Sequence, residues 1–166
     1  MPLSSSSSTS AKGLHLNGAQ ALLIVGGGVF LAVSLLVGLM HYSGQPLIMA
    51  SFGASGVLLF GYRQGPFSQA RNVIGGHLIA ALVGLMCLHL IGDYWWSMAL
   101  SCSIATTAMI ATRTMHPPAG GTPVLVFLAN SPWSFLFTPT LVGAVSLVLI
   151  AKLFWWLLLR EWPRRE

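Results

Sequence analysis

Charged side chains are scarce in this sequence. Asp, Glu, Lys and Arg together make up 7% of its 166 residues, whereas 55% are hydrophobic and the mean hydropathy is +0.77. A soluble domain carries about a quarter charged residues, which it needs to cover its surface. The shortage of charge therefore excludes an ordinary soluble protein and indicates a single integral membrane domain in a lipid bilayer.

Carboxylates are the scarcest charges, with three Asp and Glu residues against eight Lys and Arg residues. No apolar segment contains a carboxylate, although proton-coupled and cation-coupled carriers usually hold carboxylates within the membrane. This absence argues against a cation pathway and against a carboxylate proton relay. The net charge of +5 is spread over loops and chain ends, which is typical of membrane topology, so we expect no nucleic-acid partner.

Metal-binding and disulfide patterns are also missing. The two cysteines, Cys87 and Cys102, both lie in apolar runs, and no CxxC or HxxxH spacing occurs. We interpret both cysteines as packing residues. We therefore expect no metal, no cofactor and no enzymatic activity.

The sequence contains six apolar segments after a polar, serine-rich start. We predict a disordered tail over residues 1–13 and one transmembrane domain over residues 14–166. A spanning helix needs about 20 residues, so the first, third, fourth and sixth segments qualify easily, whereas the second is short and the fifth has about 13 residues. The first segment has no cleavage site after it and is predicted to be a retained helix. The six segments are 19–41, 46–62, 72–91, 94–111, 118–130 and 138–159.

The distribution of charges predicts the orientation of the chain. If all six segments cross and the N-terminus is cytoplasmic, every basic loop lies inside and Asp93 lies outside. We therefore expect both termini in the cytoplasm and the chain in a bacterial inner membrane. Lys152 is the exception, since it lies within the last segment and must extend toward the inner face. The predicted interfacial tryptophans are Trp95 and Trp96 outside and Trp155, Trp156 and Trp162 inside.

A weak internal repeat relates the second segment to the fifth. The run GASGVLLF (53–60) aligns without gaps on GGTPVLVF (120–127), and NVIGG (72–76) lies over TLVGA (140–144) with one residue of slippage. Three crossings per half place the halves in opposite orientations. The predicted fold is all-α and polytopic, with about six membrane segments in two inverted three-segment repeats, of which the second and fifth are short or broken.

The two short segments predict an anion site. Pro117 and Pro118 suit the start of a helix, and the glycines after them allow close backbone approach. Helix N-termini that face each other near the membrane midplane offer free N–H groups and a partial positive charge to an anion. Arg71 and Arg113 would attract anions to the inner mouth. The predicted binding residues are Gly53, Ala54, Ser55, Gly120, Gly121, Thr122, His77 and His116, with Ser51 and Thr114 as further hydroxyl donors.

Structural interpretations compete with these functional ones. Gly76, Ala80 and Gly84 form a small-residue face that favours helix packing over a pore wall and also allows a homo-oligomer. His77 suits an internal hydrogen bond as well as a pathway role. The roles of His116 and Arg113 are open in the same way. For Arg113, the alternative role is that of a topology determinant.

Three motifs in order resemble the HPP family of integral membrane proteins, which is named for its His-Pro-Pro motif. They are PLIMASFGASGVLLFG (46–61), QARNVIGGHLIAALVG (69–84) and TRTMHPPAGGT (112–122), which contains His116, Pro117 and Pro118. The resemblance implies nitrite transport, which is attributed to cyanobacterial and chloroplast members. The family is often described with fewer than six spans, which leaves open whether the short segments span or re-enter.

These observations favour membrane transport of a small monovalent oxyanion, with nitrite first and nitrate second. Channel and carrier both remain open. Two alternatives are a non-transporting membrane scaffold and a rhomboid-like intramembrane protease that uses Ser55 of GASG (53–56) with His77 or His116. The protease ranks lower because the rhomboid base comes from the last core helix, and segment 138–159 has no histidine.

Overall fold

The computed structural model describes residues 18–159, and within this range the ordered elements are all helical. Three of the sequence predictions lie outside the described residues. They concern the tail over 1–13, the charges of the two chain ends and Trp162. Helix α1 is Gly18–Ser43, α2 is Ala50–Gly61, α3 is Ala70–Ile91, α4 is Trp95–Ala111, α5 is Thr122–Leu128 and α6 is Val142–Leu159. Short turns precede α5 at Pro117–Gly121 and α6 at Trp133–Leu136 and Phe137–Leu141.

Three of these helical stretches are long and apolar enough to cross a membrane. They are α1, α3 and the run Trp133–Leu158, which bends at Thr138 and includes most of α6, with 26, 22 and 26 residues. Helix α2 is shorter, with parts of 7 and 5 residues, and α5 has 7 residues, so the predicted shortness of the second and fifth segments is confirmed. The expectation that the fourth segment qualifies easily is wrong, because α4 has 17 residues and lies at the lower limit for a span.

Helix α3 is the central element of the bundle. It packs against α4, α5 and α6 and against the turn Pro117–Gly121. The largest apolar cluster lies beside it, between α1, α2 and α6, and includes Phe52, Phe60 and Leu147. Helix α1 lies at the periphery and exposes large apolar side chains such as Phe30. A helix that is apolar on all faces is stable at such a position only against lipid.

Small residues let α5 and the turn before it approach α3 closely. A Cβ added to Gly84 would lie 3.0 Å from the Cα of Pro123, and one added to Gly76 would lie 2.8 Å from the Cβ of His116. Ala80, between them on the same face, is fully buried. The predicted packing seam over Gly76, Ala80 and Gly84 is confirmed, and it determines which part of the chain contacts His77.

Trp155 is not an interfacial residue, and this part of the topology prediction is wrong. Its side chain is 6% exposed, and its Nε1–H donates to the carbonyl of Leu59 at 3.0 Å. The guanidinium of Arg63 lies 4.6 Å from the centre of its ring, and partial burial there lowers the pKa of Arg63. Trp95 and Trp96 are exposed, as membrane-interface residues are. A Trp-Trp pair in one apolar run does not reveal which ring faces the core.

Candidate functional site

The hydroxyl of Ser55 is the centre of a buried polar cluster. Its Oγ lies 2.8 Å from Nε2 of His116 and 3.0 Å from Nε2 of His77. It also lies 3.1 Å from the carbonyl oxygen of Ser51, one helical turn earlier in α2. One hydroxyl thus joins α2, α3 and the start of the Pro117–Gly121 turn, although these three residues are far apart in sequence.

The far side of each imidazole ring also has a hydrogen-bond partner. Nδ1 of His116 lies 2.8 Å from the carbonyl oxygen of Phe67, and Nδ1 of His77 lies 3.1 Å from Oγ1 of Thr122. The two ring centres are 5.2 Å apart, and Phe52 contacts the His77 ring edge-on. Both imidazoles are therefore held in orientation at both nitrogens.

The cluster lies deep within the bundle. Ser55, His77, His116 and Thr122 have no exposed surface. His77 is seven residues beyond the start of α3, which corresponds to about 10 Å at 1.5 Å per residue. Ser51, which is 8% exposed, has a buried hydroxyl without a hydrogen-bond partner among the residues that the structure describes.

The polar end of the cluster is held by contacts between the loop after α4 and the first turn of α3. The side-chain amide of Asn72 donates to the carbonyl of Met115 at 2.8 Å, and Arg71 donates to the carbonyl of Thr112 at 2.9 Å. Together with the His116–Phe67 contact, these bonds hold residues 112–116 against the start of α3. Sequence reasoning missed Phe67, Asn72 and Met115. The one available signal was Asn72, an amide near the start of a mostly apolar helix.

The structure brings together four of the predicted binding residues, Ser55, His77, His116 and Thr122. The others border this cluster: Gly53, Ala54 and Gly121 are exposed and Gly120 is partly exposed. No atom lies within 4 Å of a Cβ added at any of the three glycines. The N–H of Thr122, predicted to be a free donor, already donates to the carbonyl of Ala119.

The predicted steering residues lie outside the cluster. The side chains of Arg71 and Arg113 are both exposed; Arg71 lies in the first turn of α3 and donates to the loop after α4, which contains Arg113. Arg113 has a positive φ of 56°, so the backbone turns sharply where α4 ends. Pro117 is exposed and Pro118 is half-buried at the first two positions of the turn, where a missing N–H does no harm.

The described residues offer no metal site of three or more His, Cys, Asp or Glu side chains. The two imidazoles therefore have no third acidic or thiol group beside them in this part of the chain. Their four ring nitrogens are all in contact with hydroxyl or carbonyl groups of the protein. The arrangement is suited to handling protons and hydrogen-bonded ligands.

A family profile described as HPP, transmembrane region, matches residues 16–163. The chain belongs to the HPP transmembrane family. The resemblance inferred from the three sequence motifs is thereby confirmed, and the histidine of the family's His-Pro-Pro motif is the His116 of the buried cluster. Integral membrane location follows from the family and from the apolar helices.

Two similar proteins of Dictyostelium discoideum are named only as transmembrane proteins. Each is 29% identical to this chain over 74% of its length, and the matched regions cover 52% and 47% of those proteins. The chain thus spans about half the length of the curated relatives that it matches. Their names state no substrate. No solved structure matches the chain.

Proposed function

We propose that this HPP domain carries a small monovalent oxyanion across the membrane, with nitrite as the first substrate and nitrate as the second. The observation that carries the proposal is the buried cluster of Ser55, His77, His116 and Thr122, in which a carboxylate is absent. Ionisable side chains are costly at membrane depth and usually belong to a substrate or proton pathway. Hydroxyl and imidazole donors suit an anion better than a cation. The choice of nitrite rests on the family resemblance.

The two short helices support the same proposal. Helix α2 contacts the Pro117–Gly121 turn, which brings the two halves of the proposed inverted repeat together. A helix of α2's length covers about 18 Å of a hydrocarbon core about 30 Å thick, so irregular chain must complete the crossing beside it. The open space beside Gly53, Gly120 and Gly121 would let an ion reach the backbone there. We propose that the ion passes along this face, next to the buried cluster.

Basic side chains lie at one end of this proposed path. Arg71, in the first turn of α3, and Arg113, in the loop after α4, are both exposed there. We propose that this end faces the cytoplasm, in accordance with the positive-inside rule. Exposed cations around a low-dielectric mouth raise the local concentration of anions and therefore the rate at which they enter.

Flux through purified protein in liposomes tests the proposal. Nitrite and nitrate are expected to cross faster than formate and chloride. Gly121→Val should block this flux, because the added side chain fills open space on the proposed path. Gly26→Val is the matched control, since Gly26 on α1 also has no atom within 4 Å of an added Cβ. Equal leakage of all four anions, or flux of none, would contradict the proposal, and the second result is the one that a membrane scaffold predicts.

The contact between Ser55 and His116 specifically favours a second candidate, an intramembrane serine hydrolase. A nucleophile needs a base within hydrogen-bond reach and a third group that orients the base. Ser55 Oγ lies 2.8 Å from Nε2 of His116, the candidate base. Nδ1 of His116 lies 2.8 Å from the Phe67 carbonyl, which orients the ring. A rhomboid base lies on the last core helix, which here has no histidine, but α3 and the start of the Pro117–Gly121 turn bring histidines to Ser55. This candidate ranks second because Ser55 is fully buried.

Covalent labelling separates the two candidates. A fluorophosphonate probe should label Ser55 of a hydrolase in liposomes, and Ser55→Ala should abolish both the labelling and the cleavage of a membrane substrate. For a transporter, we expect no labelling under the conditions in which anion flux is measured. Labelling at Ser55 combined with an absence of flux would reverse the order of the two candidates.

A further inference from the structure

The hydrogen bonds of the cluster have a defined direction when both imidazoles are neutral. The Phe67 carbonyl can only accept, so Nδ1 of His116 carries the hydrogen and its Nε2 must accept. The single hydroxyl hydrogen of Ser55 is then donated to His116, and Ser55 Oγ accepts from Nε2–H of His77. Nδ1 of His77 in turn accepts from the hydroxyl of Thr122. Every donor in this chain has an acceptor.

The same heavy atoms also accommodate one additional proton. If His116 is protonated at both nitrogens, its Nε2–H donates to Ser55 Oγ instead of accepting from it. The Ser55 hydroxyl then rotates to the carbonyl of Ser51, which lies 3.1 Å away and accepts. His77 still donates to Ser55 Oγ, so the protonated cluster is fully bonded as well. The third contact of Ser55 therefore provides an acceptor that only the protonated state needs.

The surroundings restrict the cluster to one additional proton. The ring centres of His77 and His116 are 5.2 Å apart, so two positive charges there would repel strongly. The groups that face the two imidazole rings are Ser55 and Phe52 on α2, Met109 on α4 and Thr122 on α5. None of these side chains titrates. The charged side chains on the remaining adjoining elements are Arg71 and Arg113, both exposed, and Arg63 in the loop before α3 and Lys152 on α6, both partly exposed.

We propose that the Ser55–His77–His116 cluster binds one proton together with each anion, so that transport is an electroneutral symport. His116 Nε2 takes the proton on the side of entry and gives it up on the side of release, and one anion and one proton cross together. This inference rests on the proposed function and adds the coupling ion to it. A protonated cluster attracts the anion, and by linkage the bound anion favours the proton equally. The described spanning helices hold no carboxylate that competes for this role.

The test uses full-length protein in liposomes that contain a pH-sensitive dye. Nitrate is the probe, because nitric acid is fully ionised and does not leak through lipid as nitrous acid does, and protein-free liposomes measure any remaining leak. An inward nitrate gradient should acidify the interior with one proton per nitrate. Clamping the membrane potential with potassium and valinomycin should leave the flux unchanged. In His116→Gln, we expect the coupled proton uptake to be lost, so that nitrate entry no longer acidifies the interior.

His89→Gln is the matched control. His89 lies on α3 like His77, and its Nε2 contacts the Ser131 carbonyl at 2.9 Å, but it is outside the cluster. The control should keep one proton per nitrate. If His116→Gln does not fold, Ser55→Ala removes the protein acceptor of the His116 Nε2–H with a smaller change and should lower proton uptake per nitrate as well. Wild-type nitrate flux that carries net charge without acidification overturns the symport and leaves anion transport intact. An absence of flux for nitrate and nitrite alike overturns both.

Discussion

Removing the Ser55 hydroxyl tests whether the two imidazoles are held as one unit. In Ser55→Ala, Nε2 of His77 and Nε2 of His116 both lose the contact at 3.0 and 2.8 Å. Each buried polar group left without a partner costs about 1–3 kcal/mol. A water molecule in the vacated space can bond both nitrogens, which favours the lower part of the summed range. We therefore expect a loss of about 2–3 kcal/mol in the free energy of unfolding.

Thermal unfolding of the purified protein in detergent measures this loss. For a chain of this length, the Tm falls by about 2–4 °C per kcal/mol, so Ser55→Ala should melt about 5–10 °C below the wild type. Ser101→Ala is the matched control, because Ser101 is fully buried and its hydroxyl makes one local bond, to the Met98 carbonyl at 2.7 Å. Its expected loss is about 1 kcal/mol. Equal melting temperatures for the two variants would refute the bridging role of Ser55.

Three further substitutions test the packing and the charged mouth. Trp155→Phe removes a hydrogen bond and weakens a cation–π contact, which should cost about 1–2 kcal/mol in thermal unfolding, whereas Trp156→Phe at an exposed position should change little. Gly143→Ala places a Cβ 2.5 Å from the Leu47 carbonyl oxygen and should lower the free energy of unfolding by about 2–3 kcal/mol. Gly26→Ala adds a Cβ in open space and should raise it by about 0.5–1 kcal/mol. Similar Tm values for the two variants would contradict this. Arg113→Ala should weaken nitrite flux and reduce its salt dependence, and Arg113→Lys should retain both; unchanged flux in the alanine variant would remove Arg113 from the mechanism.

The helical segments were predictable because they depend on local composition. Hydropathy alone predicted 72–91 and 94–111, and the corresponding helices are Ala70–Ile91 and Trp95–Ala111. The Pro and Gly residues after His116 likewise indicated where the fifth segment is interrupted, and a turn occupies Pro117–Gly121. Each of these properties is determined within about twenty neighbouring residues, so one sequence is sufficient to find them.

The cluster could not be assembled from the sequence, because it depends on how loops dock. Ser55 is 22 residues from His77 and 61 from His116. Their meeting requires residues 112–116 to fold against the start of α3, where Asn72 holds the Met115 carbonyl. No local pattern encodes such a contact.

Complete burial of the cluster bears differently on the two candidate functions. A hydrolase must bring the carbonyl of a large substrate within bonding distance of Ser55 Oγ, which requires displacing Phe52 or the Pro117–Gly121 turn from around it. A transporter requires only that an ion of a few atoms and a proton reach the ring nitrogens, and alternating exposure of a buried site is what prevents a leak. Residues 112–116 are held by hydrogen bonds to Ser55, to two side chains of α3 and to the Phe67 carbonyl, and His116 also packs against Gly76, so an opening there would shift one end of the packing seam. Under the proposed symport, a small opening at that loop would admit an ion and a proton, whereas proteolysis would need a larger opening, and this difference is why we rank transport before hydrolysis.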